Sequence, residues 1–375
     1  MNQEEEKEPV FMKKIFLYAY NEGNLGDDLF VETITNRYKE IRFYIWGDRN
    51  NHNFDRQKNL RQISERSKLI DILYRIRPSF VAKYKNYWIQ RCAASVYIGG
   101  SIFIEYPTWK NIVNWWKYQV ECQKFYVLGA NFGPYHTEEY RIAMGEVFSR
   151  MEDVCFRDRY SYKLFEDSGS VRYSPDILFG CEVKAKQKEN KVFVSVIDCL
   201  KKSEGKSTLK EYDESYKSGM TDLLKRCLEK GCDVVIASFC QAEGDEEAAE
   251  YFYQKLKTEY EPEKLRTLKY NGTNRQEMLE ELETSEYVIG TRFHSVILGL
   301  SAGCKVLPIV YSDKTKYVLE DIAASDIPCI DFRKEQAEWR KDIQEHYFMM
   351  DTSDIERIRR ESQEHFSRLD QLLRK

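Results

Sequence analysis

Apolar residues come in short, dense runs that alternate with amphipathic stretches, and this alternation organises the chain. Lys14–Tyr20 (KIFLYAY) reads as a buried strand rich in aromatic and branched residues. It runs into Asn21-Glu22-Gly23-Asn24-Leu25-Gly26-Asp27-Asp28, after which Leu29, Ile34 and Tyr38 keep helical spacing. Further strands are predicted at Ile41–Trp46, at Ser95–Ile98 before Gly99-Gly100, and at Phe125–Leu128 before Gly129. A charged stretch, Glu182–Lys191, breaks the pattern and reads as a linker. Alternation then resumes with strands at Val192–Ile197, Asp233–Ser238, Leu265–Tyr270, Glu286–Ile289 and Lys305–Val310. Helices are predicted at Tyr212–Glu229, Asp245–Lys257, Arg275–Glu283, His294–Ala302 and Thr315–Ala323. Ile355, Ile358, Phe366, Leu369 and Leu372 mark one face of a last helix, capped by Asp351-Thr352-Ser353-Asp354.

Strands alternating with helices imply parallel βαβ units. The expected fold is α/β: two Rossmann-like doubly wound domains in a GT-B-like arrangement, with a C-terminal closing helix and ligands in the cleft between domains. The divisions are a tail over residues 1–12, an N-terminal domain over 13–182 on the acceptor side, a C-terminal domain over 191–332 on the donor side, and a helical extension over 333–375.

Composition narrows the function. With 42% hydrophobic and 32% charged residues the chain is globular rather than disordered. A net charge of -4 excludes bulk attraction to nucleic acid, so an anionic ligand needs a local cluster of Arg or Lys. The ten cysteines form no C-x-x-C pair and the five histidines lack metal-ligand spacing beside them, so neither a zinc site nor a disulfide framework is expected. Unpaired, mostly strand-embedded cysteines fit a reducing compartment. With no signal core near Met1 and no apolar run of membrane-spanning length, a soluble, cytoplasmic protein is expected.

The sharpest candidate chemistry is Gly290-Thr291-Arg292-Phe293-His294-Ser295, directly after a strand. A helix starting there would aim free N–H groups at an anion. Arg292 and His294 are two apart, so in an extended turn both would face one way. Arginine forks onto carboxylates or phosphates, and histidine moves protons near neutrality. A second basic element is Phe156-Arg157-Asp158-Arg159-Tyr160-Ser161, and Lys314 follows the strand Lys305–Val310 as an anion contact or a solvated helix start. Asn24-Leu25-Gly26-Asp27, Gly99-Gly100 and Gly133-Pro134 follow strands of the first half, where glycine permits close approach of ligand or simply makes a turn. No G-x-G-x-x-G or Walker A loop is present, so dinucleotide and ATP readings lack support. Glu105 is a possible base or a surface carboxylate. Residues 61–91 interleave aromatics with Arg61, Arg66, Lys68, Arg75, Arg77, Lys83, Lys85 and Arg91 against Glu65 and Asp71, which suits either an anionic membrane surface or helices packed on the sheet.

In order, N-x-G-D (Asn24, Gly26, Asp27), G-G (Gly99, Gly100), G-P (Gly133, Pro134), R-D-x-x-S (Arg157, Asp158, Ser161), P-D-x-x-F (Pro175, Asp176, Phe179), R-x-H (Arg292, His294) and Y-x-x-K (Tyr311, Lys314) resemble the polysaccharide pyruvyl transferase family from about residue 13 to 323. Ser101 stands where a third glycine is common, Asn131 departs from the family's G-x-x-x-G-P stretch, and residues 45–95 match nothing in the family. The resemblance implies transfer of pyruvate from phosphoenolpyruvate to two hydroxyls of a sugar, in a polysaccharide or its lipid-linked precursor. It places Arg157, Arg292 and His294 at the phosphoenolpyruvate site, with His294 as general acid and Arg292 as clamp. Lys314, Asn24, Gly26, Asp27, Gly99, Gly100, Glu105 and Gly133 become substrate contacts. No metal or other cofactor is implied; the partners are phosphoenolpyruvate, a saccharide acceptor and, peripherally, the inner membrane surface. The alternatives are a GT-B glycosyltransferase using a nucleotide sugar, and a non-catalytic carbohydrate- or lipid-binding subunit of an assembly complex.

Overall fold

A computed structural model describes residues 13–47, 52–64, 78–204, 207–323, 327–334 and 338–374. The N-terminal tail and residues 65–77, which carry Arg66, Lys68, Arg75 and Arg77, lie outside the described residues. The first sheet contains β1 (Lys13–Tyr18), β2 (Ile41–Gly47), β3 (Leu60–Ser64), β4 (Ala94–Ile98), β5 (Phe125–Ala130), β6 (Asp153–Phe156) and β7 (Val171–Tyr173). All pair in parallel, in the order β3-β2-β1-β4-β5-β6-β7.

The second sheet uses β8 (Glu189–Ser195) and, after a small antiparallel hairpin of β9 (Ser203–Glu204) and β10 (Ser207–Thr208), β11 (Asp233–Ser238), β12 (Leu265–Lys269), β13 (Ser285–Gly290), β14 (Lys305–Val310) and β15 (Ile330–Asp331). Its order is β12-β11-β8-β13-β14-β15, again parallel. Central strands are buried on both faces, as Ile15, Phe16 and Leu17 show, because helices cover each side. Strand order reverses between β1 and β4 and between β8 and β13, and the loops leaving these strand ends form the site described below. One apolar cluster runs from Ile15 and Leu17 of the first sheet through Ile177 and Phe179 to Phe193 and Val288 of the second.

Four expectations are corrected. Strands β3, β6, β7 and β15 were not anticipated, and β8 starts within the expected linker, at Glu189. Of the cysteines, Cys155 lies inside a strand, whereas Cys232, Cys240 and Cys304 flank strand ends and Cys227 lies in a helix. All ten are free. The last helix is interrupted: Thr352–Ser362 passes through a 3₁₀ turn, Gln363–Phe366, into Ser367–Leu373. The tighter winding shifts the phase and helps to bring Phe366 and Leu369 into the core. Asp351 is the N-cap residue but its side chain makes no capping bond. This segment returns to the first sheet, where Arg37 Nη2 meets Asp370 Oδ2 at 2.7 Å and Lys13 Nζ donates to the Leu372 carbonyl at 2.9 Å. Among the described residues no helix is long and apolar enough to cross a membrane.

Candidate active site

Asn24 closes the loop after β1 and caps the helix Leu25–Arg37, its side chain accepting from Gly26 N at 3.0 Å. The next amide, Leu25 N, donates across the cleft to the Phe239 carbonyl at 3.0 Å, and Asn24 bridges Cys240. N-x-G-D therefore fastens the first sheet to the loop that follows β11.

Arg292 ends the turn after β13, and Phe293 begins the helix Phe293–Ser301, whose N-terminus has no side-chain cap. His294 sits in its first turn, so the extended geometry expected for Arg292 and His294 does not apply. Arg292 turns to Asp245 and Glu243: Nε donates to Asp245 Oδ2 at 2.8 Å, Nη2 meets Asp245 Oδ1 and Nη1 meets Glu243 Oε2. Asp245 Oδ2 also accepts from Phe239 N and Cys240 N. Burial opposes ionisation of Glu243, but Arg292 and Lys202 overcome it and hold its carboxyl at about 2.

His294 turns to the first sheet instead. A Cβ on Gly26 would stand 1.6 Å from His294 Nδ1, so glycine alone lets the ring rest on this backbone. Phe30 and Phe293 flank the ring, and its buried Nε2 has no hydrogen-bond partner. Burial, then Arg157, Lys314, Arg292 and Lys202, push the imidazole well below its usual range and keep it neutral. Beside it, burial and the charges of Asp28 and Glu243 raise Asp27 to about 7, against Arg157 and Lys202. Overpacking of this kind costs about 1–3 kcal/mol, so Gly26→Ala is expected to lower the melting temperature by a matching amount. In a His294→Ala background the clash is gone and the loss should vanish; an equal loss in both backgrounds would show that the contact is unimportant.

Arg157 is buried at the end of β6, between Gly100 and the Phe293 ring, whose centroid lies 4.2 Å from its Cζ. A Cβ on Gly100 would meet Arg157 Nη1 at 2.7 Å. Nη1 pairs with Asp176 Oδ2 at 3.0 Å, Nη2 donates to Asn131 Oδ1 at 2.7 Å, and the buried Nε has no partner. Lys314 Nζ donates to Ser101 Oγ at 3.3 Å, and Ser101 Oγ donates to Asn131 Oδ1 at 3.1 Å. The two departures from the family pattern, Ser101 and Asn131, thus join Lys314 of the second half to Arg157 of the first.

Other motif residues shape loops. Asp158 accepts from Ser161 N and Oγ, which caps the short helix Arg159–Lys163. Glu105 is buried with Oε2 accepting from His136 N and Thr137 N and Oε1 from Thr137 Oγ1, so backbone and hydroxyl bonds depress its carboxyl despite burial. Gly133 takes a φ of +98°, and a Cβ on Gly99 would make ordinary contacts with Ile102 at 3.5 Å and Tyr97 at 3.8 Å. The structure therefore gathers His294, Arg292, Arg157, Lys314, Asn24, Gly26, Asp27 and Gly100, places Gly133 on the wall of the adjoining cavity, and leaves Glu105 and Gly99 in loop architecture. Lys202, Glu243 and Asp245 are members the sequence did not single out. Next to this centre a cavity of about 780 Å³ opens between the halves, bordered by Asn131, Lys314, Tyr311 and the stacked rings of Tyr160 and Tyr317, 4.2 Å apart.

Two parallel doubly wound sheets that turn their strand-order reversals toward a shared cleft define a GT-B-type protein. Solved structures agree on the fold. UDP-GlcNAc 2-epimerase from Neisseria meningitidis bound to UDP-GlcNAc superimposes with a TM-score of 0.58 at 9% identity, over 97% of this chain and 100% of that one. HepE from Anabaena in complex with UDP and glucose gives 0.56 at 12% identity, over 97% of each chain. The sequence model of one family, "Polysaccharide pyruvyl transferase", matches residues 24–313, and the chain belongs to that family. No curated protein matches it significantly.

Proposed function

We propose that the protein transfers pyruvate from phosphoenolpyruvate to two hydroxyls of a sugar and releases inorganic phosphate. The observation that carries this reading is the neutral His294, its Nε2 unpartnered, facing the charges of Arg157, Lys314, Arg292 and Lys202. Such a centre suits a small ligand that brings both a phosphate and a carboxylate. Arg157, Lys202, Lys314 and the uncapped helix start at Phe293 hold the donor, while Arg292, engaged by Asp245 and Glu243, sets the position of the loop.

The steps balance without an added reagent. One sugar hydroxyl bonds to the enol carbon as the methylene carbon gains a proton and becomes methyl. The C–O bond to phosphate then breaks with its electron pair leaving on phosphate, and the second hydroxyl closes the ketal. Of the two hydroxyl protons, one is accounted for by the methyl group and one leaves with phosphate. His294 supplies the proton to carbon once the donor's anionic charge offsets its cationic neighbours, and Asp27, titrating near neutrality, accepts the hydroxyl proton.

Calorimetry in chelator tests the reading. Phosphoenolpyruvate should bind, taking up protons at pH 7 because donor charge raises His294, whereas UDP and GDP sugars should give no heat. The reverse result would make the protein a nucleotide-sugar enzyme.

A peripheral membrane contact is proposed for the first half. The helices Pro78–Ile89 and Trp109–Cys122 are joined by Asn86 Nδ2 donating to Tyr118 OH at 2.6 Å. They expose Tyr87, Trp115 and Tyr118 beside Lys83, Arg91 and Lys110. Aromatic and basic groups together suit an anionic bilayer surface. The protein should sediment with phosphatidylglycerol vesicles at low salt and not at high salt, and Lys83→Glu with Arg91→Glu should remove most of the binding. Equal binding to neutral vesicles would refute the contact.

A further inference from the structure

We propose that the interdomain cavity holds a second anion subsite, at the start of the helix Asp313–Ile322, which receives a phosphoryl group carried by the acceptor saccharide. The helix is ten residues long and its N-cap, Ser312, is extended with no side-chain cap bond, so its first amides are not satisfied from that side. Ser312 is only 5% exposed, its Oγ has no partner, and it lines the cavity. A buried hydroxyl without a partner is costly unless a ligand completes it. Here hydroxyl and uncapped amides share one place, and a phosphoryl oxygen satisfies both.

Nearby charge is consistent with this. Asp313, the carboxylate of the first turn, is turned to Arg333 at 2.7 Å and Lys316 at 3.9 Å, which offsets its repulsion of an anion. Lys314, one residue further, adds positive charge to the same wall. The remaining walls suit a sugar: the aromatic residues Tyr160, Tyr212 and Tyr317 line them, and Glu211 offers an acceptor for hydroxyls. At about 780 Å³ the cavity is of a size that encloses a ligand much larger than phosphoenolpyruvate, since pockets of roughly 300–1,000 Å³ take drug-sized molecules. The pyruvyl-transfer reading supplies the identity of the neighbouring donor; the subsite itself stands on Ser312 and its helix.

The test is calorimetric titration of inorganic pyrophosphate into the full chain, with and without saturating phosphoenolpyruvate. A pyrophosphate site that persists under saturating phosphoenolpyruvate is expected. Ser312→Ala should weaken it about fivefold, the usual worth of one hydrogen bond. Ser312→Asp places a carboxylate where the phosphoryl group would lie; it should abolish the site and raise the melting temperature by capping the helix. Hexose 1-phosphate and a short-chain prenyl diphosphate hexose should each displace the pyrophosphate, and whichever is tighter identifies a free or a lipid-borne source. Complete displacement of pyrophosphate by phosphoenolpyruvate, unchanged affinity in Ser312→Asp, or failure of both sugar phosphates to compete would overturn the subsite. Loss of phosphoenolpyruvate binding alone, with a Ser312-dependent pyrophosphate site intact, would bring down only the donor reading.

Discussion

Replacing His294 with glutamine is expected to slow turnover by about 10²–10⁴, the share usually supplied by a positioned general acid, while phosphoenolpyruvate affinity changes little. Glutamine keeps a hydrogen-bonding end of similar reach but cannot deliver the proton, and His294→Ala should be as slow. The variant should also change the response to acid. Native His294 sits well below its unfolded value of about 6.5, so as pH falls through that value the unfolded chain takes up a proton the native state refuses. Stability is lost on acidification, and His294→Gln should flatten that loss. His365, buried and held near 3, contributes a slope of the same sign and persists in the variant, so the difference between the two proteins isolates His294. Near-normal turnover with a raised KM in His294→Gln would make the residue a binding group and move the proton donor elsewhere, with Asp27 first in line.

Arg292→Ala is expected to destabilise the protein by about 3–5 kcal/mol, because it leaves the buried Asp245 without its bidentate partner. Asp245 Oδ2 holds the backbone of Phe239 and Cys240, and those residues in turn bond Leu25 and Asn24 across the cleft. Thermal melting should show the loss, and Arg292→Ala combined with Asp245→Asn should recover part of it by removing the stranded charge. Donor affinity, measured well below the melting point, should fall by less than for a residue that clamps the ligand. Unchanged melting with abolished phosphoenolpyruvate binding would restore Arg292 to the clamp expected from sequence.

The parallel βαβ plan was legible because the central strands are continuous apolar runs, as in KIFLYAY and VFVSVI. The strands that escaped detection carry polar residues: Leu60-Arg61-Gln62-Ile63-Ser64 and Val171-Arg172-Tyr173 lie at sheet edges, and β6 opens on Asp153, made tolerable by Arg172 at 2.7 Å. In the site, R-x-H was visible as a motif, but its two side chains part company because one precedes a helix and the other belongs to it. Asp245 stands in the acidic first turn of the helix Asp245–Leu256 and Glu243 in the 3₁₀ turn before it, and only the fold brings Arg292 onto them. Lys202 lies beyond β8 near the hairpin, where local sequence offers no signal at all.

His294 is carried by the second half yet rests on Gly26 of the first, and Lys314, also of the second, reaches Ser101 of the first. Parting the halves would take His294 off Gly26 and Lys314 off Ser101 in a single movement, and with them, on the reading proposed above, the proton donor and one cation of the donor site. If that reading holds, an open cleft should be chemically silent and phosphoenolpyruvate bound in it should not be spent on water. The protein should release almost no pyruvate from phosphoenolpyruvate alone, and begin to consume it only when a sugar is there to receive it.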